Sequence, residues 1–286
     1  MQTRHIGNRT VSAIGLGGMP MSIAGRPEQE RSVRTIHASL DAGVTLVDTA
    51  DAYCLDSGDV GHNEELIAQA LRTWGGNDED VLVATKGGHT RTADGGWTLD
   101  GRPEHLRAAC EASLRRLGVE AIGLYQVHRP DPTVPVEESV GALAELLDAG
   151  KIQLAGVSNL DPGQIRTAQD TLGGRLASVQ NQYSPAFGSS RPELELCAEL
   201  GIAFLPWSPL GGIGKAGELG NSHRAFAEVA AELQVSPQRV CLAWMLAAAD
   251  VVVPIPGASR PGSAVDSAAA TDLVLTAEQL ARLDAA

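Results

Sequence analysis

Eight short runs of strand-forming residues alternate with amphipathic helical stretches along the chain, and this alternation constrains the fold more than any other feature. The candidate strands are residues 13–16, 45–48, 81–86, 123–126, 152–157, 178–181, 203–206 and 251–254. Helical spacing of apolar residues marks 28–42, 63–71, 103–117, 136–149, 161–172, 191–200 and 225–248, the last broken near Pro237. In 103–117, Leu106, Ala109, Cys110, Leu114 and Leu117 share one face, with Pro103 at the start and Gly118 just past the end. Strands that alternate regularly with helices build parallel sheets. Eight such units predict a (β/α)8 barrel, a TIM barrel, rather than an open doubly wound sheet. The open sheet usually carries GxGxxG in its first turn, followed by an acidic ribose partner. The chain offers only GLGG at 15–18. With no long linker or internal repeat, residues 1–286 are expected to form a single domain. The Gly-rich stretch 211–220 is read as a mobile loop over the barrel rim.

Composition narrows the function classes. The chain is 43% hydrophobic and 20% charged, a soluble globular profile. Its longest apolar runs, VVVPIP and CLAWMLAAA, are too short to cross a bilayer. Arg4 and His5 near the start are not followed by an apolar signal region, so a cytoplasmic location is expected. Asp and Glu number 35 against 22 Lys and Arg, a net charge of −13 that repels nucleic acid and anionic membrane. A phosphorylated cofactor needs only a few local donors and remains compatible. The four dispersed cysteines read as buried thiols in a reducing compartment, and only Cys54, beside Tyr53, is placed to line a site.

The chemistry sits at strand ends. LVDTADAY carries Asp48 and Tyr53, VLVATKGG carries Lys86, and IGLYQVHRP carries His128. In a barrel the carboxyl ends of the strands form the functional face, so an acid, a phenol, an amine and an imidazole are expected on one rim. A carboxylate beside a buried lysine keeps it protonated, and the ammonium should lower the pKa of a neighbouring phenol from about 10. Such a phenol can donate a proton to a carbonyl oxygen while His128 orients that oxygen.

With these residues the chain resembles the aldo-keto reductases over nearly its whole length. The resemblance implies that Tyr53 is the general acid, Lys86 tunes it, Asp48 holds Lys86, and His128 orients the carbonyl. It also implies NADP, as NADPH with NADH use possible, bound in extended form without a Rossmann domain. Ser158, Asn159 and Gln180 would hold the nicotinamide carboxamide, and Trp207 would stack on the ring. Ser208, Pro209, Leu210 and Gly211 would follow the pyrophosphate. Gly17, Gly18, Met19, Ile255 and Gly257 complete the expected cofactor contacts. Where many relatives carry a Lys and an Arg for the 2′-phosphate, this chain has Gly257 and Ser263. Ser259 and Arg260 remain as partners for that phosphate, and the adenine-reading pair would be Asp266 and Ser267.

Each residue taken singly has an ordinary explanation: a structural ion pair, a packing aromatic, a turn histidine. Two other functions stay open. Lys86 at a strand end could form a Schiff base, as in barrel aldolases. The chain could also be a non-catalytic nicotinamide-sensing subunit, like the barrel subunits of potassium channels, although the barrel is expected to begin by residue 13. His62, Asn63 and Glu64 raise a metal question, but with no HExxH or CxxC motif no metal is expected, and Asn63 and Glu64 are read as a helix opening. His89 and Trp97, with Cys54 and Leu55, are candidates to line a partly apolar substrate pocket. Arg129 is taken to pair with a surface carboxylate, and Trp244 to lie in the core. The expected partner is a small-molecule carbonyl compound, and the default oligomeric state is a monomer.

Overall fold

The computed structural model describes residues 1–285. Its strands are β1 (Thr3–Ile6), β2 (Arg9–Ser12), β3 (Leu16–Gly17), β4 (Leu46–Asp48), β5 (Leu82–Gly87), β6 (His89–Arg91), β7 (Trp97–Leu99), β8 (Ile122–Val127), β9 (Ile152–Ser158), β10 (Leu176–Gln180) and β11 (Ala203–Phe204). Its helices are α1 (Gln29–Asp41), α2 (His62–Thr73), α3 (Pro103–Leu117), α4 (Val136–Asp148), α5 (Pro162–Thr171), α6 (Arg191–Leu200), α7 (Leu219–Ser222), α8 (Arg224–Leu233), α9 (Pro237–Leu246), α10 (Pro261–Ala268) and α11 (Ala277–Asp284).

Seven parallel strands pair in the order β3, β4, β5, β8, β9, β10, β11. The expected eighth strand closes the barrel as an extended segment, 252–257, that bridges at both ends: Val252 to Phe204 and Gly257 to Gly17. Its irregularity has a chemical cause. Val253 and Ile255 donate their amides to the carbonyls of Phe204 and Pro206 on one side. On the other side the carbonyls of Pro254 and Pro256 accept from Gly15 and Gly17. Proline has no amide hydrogen to return, so that half of the ladder runs one way only. The seam is also close. A Cβ on Gly17 would lie 2.8 Å from the Ile255 carbonyl oxygen, a contact only glycine avoids. The result is the (β/α)8 barrel that the alternation predicts.

The barrel interior is an apolar cluster in which Leu46, Leu82, Ala84, Leu124, Leu154, Ala203, Leu205, Val253 and Ile255 meet Ile6 and Val11. The last two belong to an antiparallel hairpin, β1–β2, that sequence periodicity does not reveal. Ser12 and Thr45 exchange backbone-to-hydroxyl hydrogen bonds, each 2.8 Å, which anchor the hairpin at the amino ends of the strands. The floor of the barrel is therefore plugged and the opposite end is open.

Around it the helices bury a second, larger core. Trp244 of α9 stacks on Tyr183 at 5.9 Å and lies in this outer layer, as read from the sequence. The 225–248 stretch divides into α8 and α9, with Ser236 capping α9 through a bond from the Arg239 amide. Four expectations need correcting. The first barrel strand is 16–17 rather than 13–16, since pairing with β4 begins only at Leu16. The loop after β5 is itself a hairpin, β6–β7. The second half of 211–220 is helical, with Leu219 buried. Two closing helices, α10 and α11, lie beyond the helical stretches that periodicity marks; α11 opens with a Thr276/Gln279 capping box that does signal a helix start.

Candidate active site

Strand β4 ends at Asp48 and strand β5 carries Lys86 one residue before its end, and the parallel pairing of β4, β5 and β8 brings their carboxyl ends together. Lys86 is fully buried, and its Nζ donates to Asp48 Oδ1 at 2.7 Å, the Thr49 carbonyl at 2.8 Å and Tyr53 Oη at 3.1 Å. All three ammonium hydrogens thus have acceptors. Gln180 at the end of β10 reaches across the barrel and donates to Asp48 Oδ2 at 2.8 Å. His128, just past β8, lies edge-on to Tyr53 with ring centres 5.5 Å apart, and its buried Nδ1 has no partner among the described residues.

Burial sets the proton affinities. Desolvation is the largest influence on Lys86 and pulls its pKa down, but the fields and hydrogen bonds of Asp48 and Tyr53 outweigh it and hold the amine above its ordinary value. It stays an ammonium. Tyr53 departs from expectation. Burial pushes the phenol above 10.0, and the Lys86 charge offsets only part of that rise. The phenol therefore keeps its proton, and the expected net lowering does not occur in this geometry. Burial likewise raises Asp48, against the pull of Lys86 and Gln180. His128 is driven well below 6.5 by burial, then by the charges of Lys86, His89 and Arg129, so its imidazole is neutral.

The first turn of α2 braces this cluster from behind. Asn63 accepts from the Thr49 hydroxyl at 2.6 Å and donates to the Gly18 carbonyl at 2.9 Å and Ser22 Oγ at 2.7 Å. Glu64 accepts from the Thr85 hydroxyl at 2.6 Å and from Arg116 at 2.6 Å. Thr49 and Thr85 adjoin Asp48 and Lys86, so two side chains of one helical turn position both members of the ion pair. The expectation that Asn63 and Glu64 merely open a helix is incomplete: both are fully buried, and the N-cap is Gly61. Beside them Asp51 is buried, its Oδ1 without a partner among the described residues. Desolvation, then the Glu64 charge, pushes its pKa to about 8.

A cleft of about 810 Å³ opens over the cluster. It is lined by Asp48, Tyr53 and His128, and by Gly17, Met19, Ser158, Asn159, Gln180, Trp207, Ser208, Pro209, Leu210, Ile255, Gly257, Ser259 and Arg260. His89 and Trp97 line it from the β6–β7 hairpin, their rings 4.4 Å apart. Four expected lining residues do not reach it. Gly18 turns into the protein, its amide on the Asp48 carbonyl, where a Cβ would collide with Asn63 Oδ1. Gly211 is held in a turn to the Ser208 carbonyl, and Leu210 and Gly212 face the cleft instead. Cys54 is fully buried with its thiol toward the Ala52 carbonyl, and burial lifts its pKa to about 11. Leu55 lies outside the cleft, partly exposed.

The donor set suits an extended phosphorylated dinucleotide. Asn159 donates to the His128 carbonyl and accepts from the Trp207 indole at 3.1 Å, which fixes that wall of the cleft. Asn159 and Ser208 hold positive φ angles, 61° and 51°, a strained state for non-glycine residues that concentrates at functional sites. Among the described residues the amides of Gly212, Ile213 and Gly214 donate to no backbone carbonyl, and the first turn of α10 faces the cleft beside Arg260; both features favour anions. Asp266 is held by Arg239 at 2.6 Å and by Ser236. Among the described residues no cluster of three metal-ligating side chains occurs, and no helix is long and apolar enough to cross a membrane.

Fold and geometry thus define a (β/α)8 barrel with a buried amine–phenol–carboxylate cluster under an anion-compatible cleft. The Aldo/keto reductase family profile matches residues 13–286. An uncharacterized oxidoreductase of Schizosaccharomyces pombe, C215.11c, is 31% identical over 286 residues, spanning 99% of this chain and 89% of the relative. The aldo-keto reductase yakc of the same organism, whose name specifies NADP(+), is 32% identical over 291 residues, 90% of this chain and 83% of its own length. The crystal structure of an aldo-keto reductase from Klebsiella pneumoniae in complex with NADPH matches with a TM-score of 0.82 at 28% identity, covering 100% of this chain and 95% of that one. The chain belongs to the aldo/keto reductase family.

Proposed function

We propose that this protein is an NADPH-dependent oxidoreductase that reduces aldehyde or ketone carbonyls to alcohols. The observation that carries this reading is the Lys86 ammonium 3.1 Å from the Tyr53 hydroxyl and 2.7 Å from Asp48, beneath a cleft suited to a dinucleotide. A reduced nicotinamide bound in that cleft supplies the hydride. Tyr53 hands its proton to the carbonyl oxygen as charge develops there, and Lys86 stabilises the phenolate left behind. Neutral His128 donates a ring N–H to the same oxygen. Ser158, Asn159 and Gln180 hold the carboxamide, Trp207 covers the ring, and Ser208 to Leu210 with the neighbouring glycine amides follow the pyrophosphate. Ser259 and Arg260 take the 2′-phosphate, which makes NADPH the preferred form with NADH still usable. On this reading residues 1–286 act as one cytoplasmic domain, a monomer, on a small-molecule carbonyl.

The geometry weighs against a Schiff-base role, which needs a neutral amine, whereas Lys86 is surrounded by acceptors. A purely sensing role would leave the acid, amine and imidazole without a task. Tyr53→Phe provides the test. Carbonyl turnover should fall by about 10²–10⁴-fold, while NADPH affinity, read by fluorescence quenching, stays within about twofold of wild type because a lone phenol is a minor part of that contact surface. Undiminished turnover removes Tyr53 from the mechanism.

A further inference from the structure

Two cationic side chains line the cleft, Arg129 and Arg260, and they belong to different ends of it. Arg260 precedes α10, on the side assigned to the cofactor phosphates. Arg129 follows His128, whose ring meets both Tyr53 and His89 edge-on at 5.5 and 4.9 Å, so it stands at the reacting end. The expected surface partner for Arg129 is absent: among the described residues it makes no ion pair and no hydrogen bond. The nearby acids are committed elsewhere. Asp131 accepts from the Gly101 amide at 3.0 Å and the Thr133 hydroxyl at 2.7 Å. Asp100 is paired with Arg102 at 2.7 Å. Of the two carboxylates that line the cleft, Asp48 is held by Lys86 and Asp266 by Arg239.

Other half-buried arginines without a counter-ion, Arg4, Arg9 and Arg91, each make a side-chain hydrogen bond, whereas half-buried Arg129 makes neither an ion pair nor a hydrogen bond among the described residues, in a chain where 35 acids face 22 bases. Its charge is felt at the site: it depresses His128 and also His89, which burial and the two arginines bring to about 4. Both imidazoles are therefore neutral, and neither competes as an anion partner. Trp97 and His89 supply an aromatic wall beside it, and the other nearby guanidinium, Arg91, is already spent on the Trp97 face at 3.9 Å and on the Leu55 carbonyl.

We propose that Arg129 is the carboxylate-binding group of the substrate pocket, and that the preferred substrates are carbonyl compounds bearing a carboxylate across an apolar or aromatic spacer. This rests on the reductase reading of the site. A planar guanidinium binds a carboxylate through two parallel hydrogen bonds, and an unpaired one gains most from doing so.

The test compares 4-carboxybenzaldehyde with 4-formylbenzamide, which share ring and carbonyl and differ in charge. The wild-type chain with NADPH should favour the acid in kcat/KM by about 10–100-fold, the range of a charged hydrogen-bonded contact. Arg129→Gln should collapse that ratio toward one, chiefly through KM for the acid, and Arg129→Lys should restore part of it. Equal use of both substrates by the wild type overturns the proposal. So does an unchanged ratio in Arg129→Gln, whether or not NADPH affinity falls. Should neither aldehyde be reduced, the reductase reading fails, and calorimetry still tests the subsite. Benzoate should bind about 10-fold or more tightly than benzamide, with and without NADP(+), and lose that advantage in Arg129→Gln. Equal binding rejects the subsite on its own.

Discussion

At the scale of single residues, the site is governed by how desolvation is offset. Lys86 is buried with an acid, a carbonyl and a phenol around it, and remains cationic because these three acceptors outweigh the loss of water. Tyr53 gains less from the same neighbour than burial takes away, so it holds its proton throughout the neutral range. That suits an acid in the reducing direction. Asp51 has no such offset. Its carboxyl titrates near 8 in the folded chain against an ordinary value of 3.8, so between these values the folded state binds the extra proton. The stability tied to this group is complete below its unfolded value and is lost as pH rises through the folded one. Asp51→Asn should remove that slope: the wild-type Tm should fall relative to the variant between about pH 4 and pH 8 and run parallel to it above that. Parallel Tm curves would show that Asp51 does not carry the proton.

At the scale of elements, the first turn of α2 and the β6–β7 hairpin do what barrel strands alone do not. Asn63 and Glu64 accept from the hydroxyls of Thr49 and Thr85, and these hydrogen bonds fix the backbone on which Asp48 and Lys86 are mounted. Arg116 from α3 completes the Glu64 carboxylate, in the space left by Gly61, whose φ is 90° and where a Cβ would strike the guanidinium. Glu64→Gln keeps the shape but weakens the bonds to Arg116 and Thr85. It should lower kcat by about 10-fold or more, since small misplacements of reacting groups are costly, with little change in NADPH affinity. Thr85→Val should reproduce part of the effect. A fall in thermal stability with kcat preserved would make the pair structural only. The hairpin is built on its Asp94–Gly95 turn and brings His89 and Trp97 to the mouth. Its strands are three residues each, too short for alternation to announce them.

At the scale of the whole molecule, the barrel is closed at one end by chain from outside the repeating units. Ile6 and Val11 fill the floor among Leu46, Leu82 and Leu154, opposite the cleft. Ile6→Ala should cost about 2–5 kcal/mol in urea unfolding while leaving kcat nearly unchanged, because the floor lies at the far end of the strands from Tyr53. A large loss of activity at unchanged stability would contradict that separation.

The amino-acid order alone determined the alternation of elements, the barrel, and the delivery of Asp48, Tyr53, Lys86 and His128 to strand ends, because periodicity and chain position are local properties. Only the tertiary structure decided the rest. It set the net direction of the Tyr53 shift, which depends on how much water the fold removes. It turned Cys54 and Gly18 inward, recruited Asn63 and Glu64 as braces, and left Arg129 without a carboxylate. Each of these depends on which distant side chains arrive within a few ångströms, and no pattern read along the chain contains that distance.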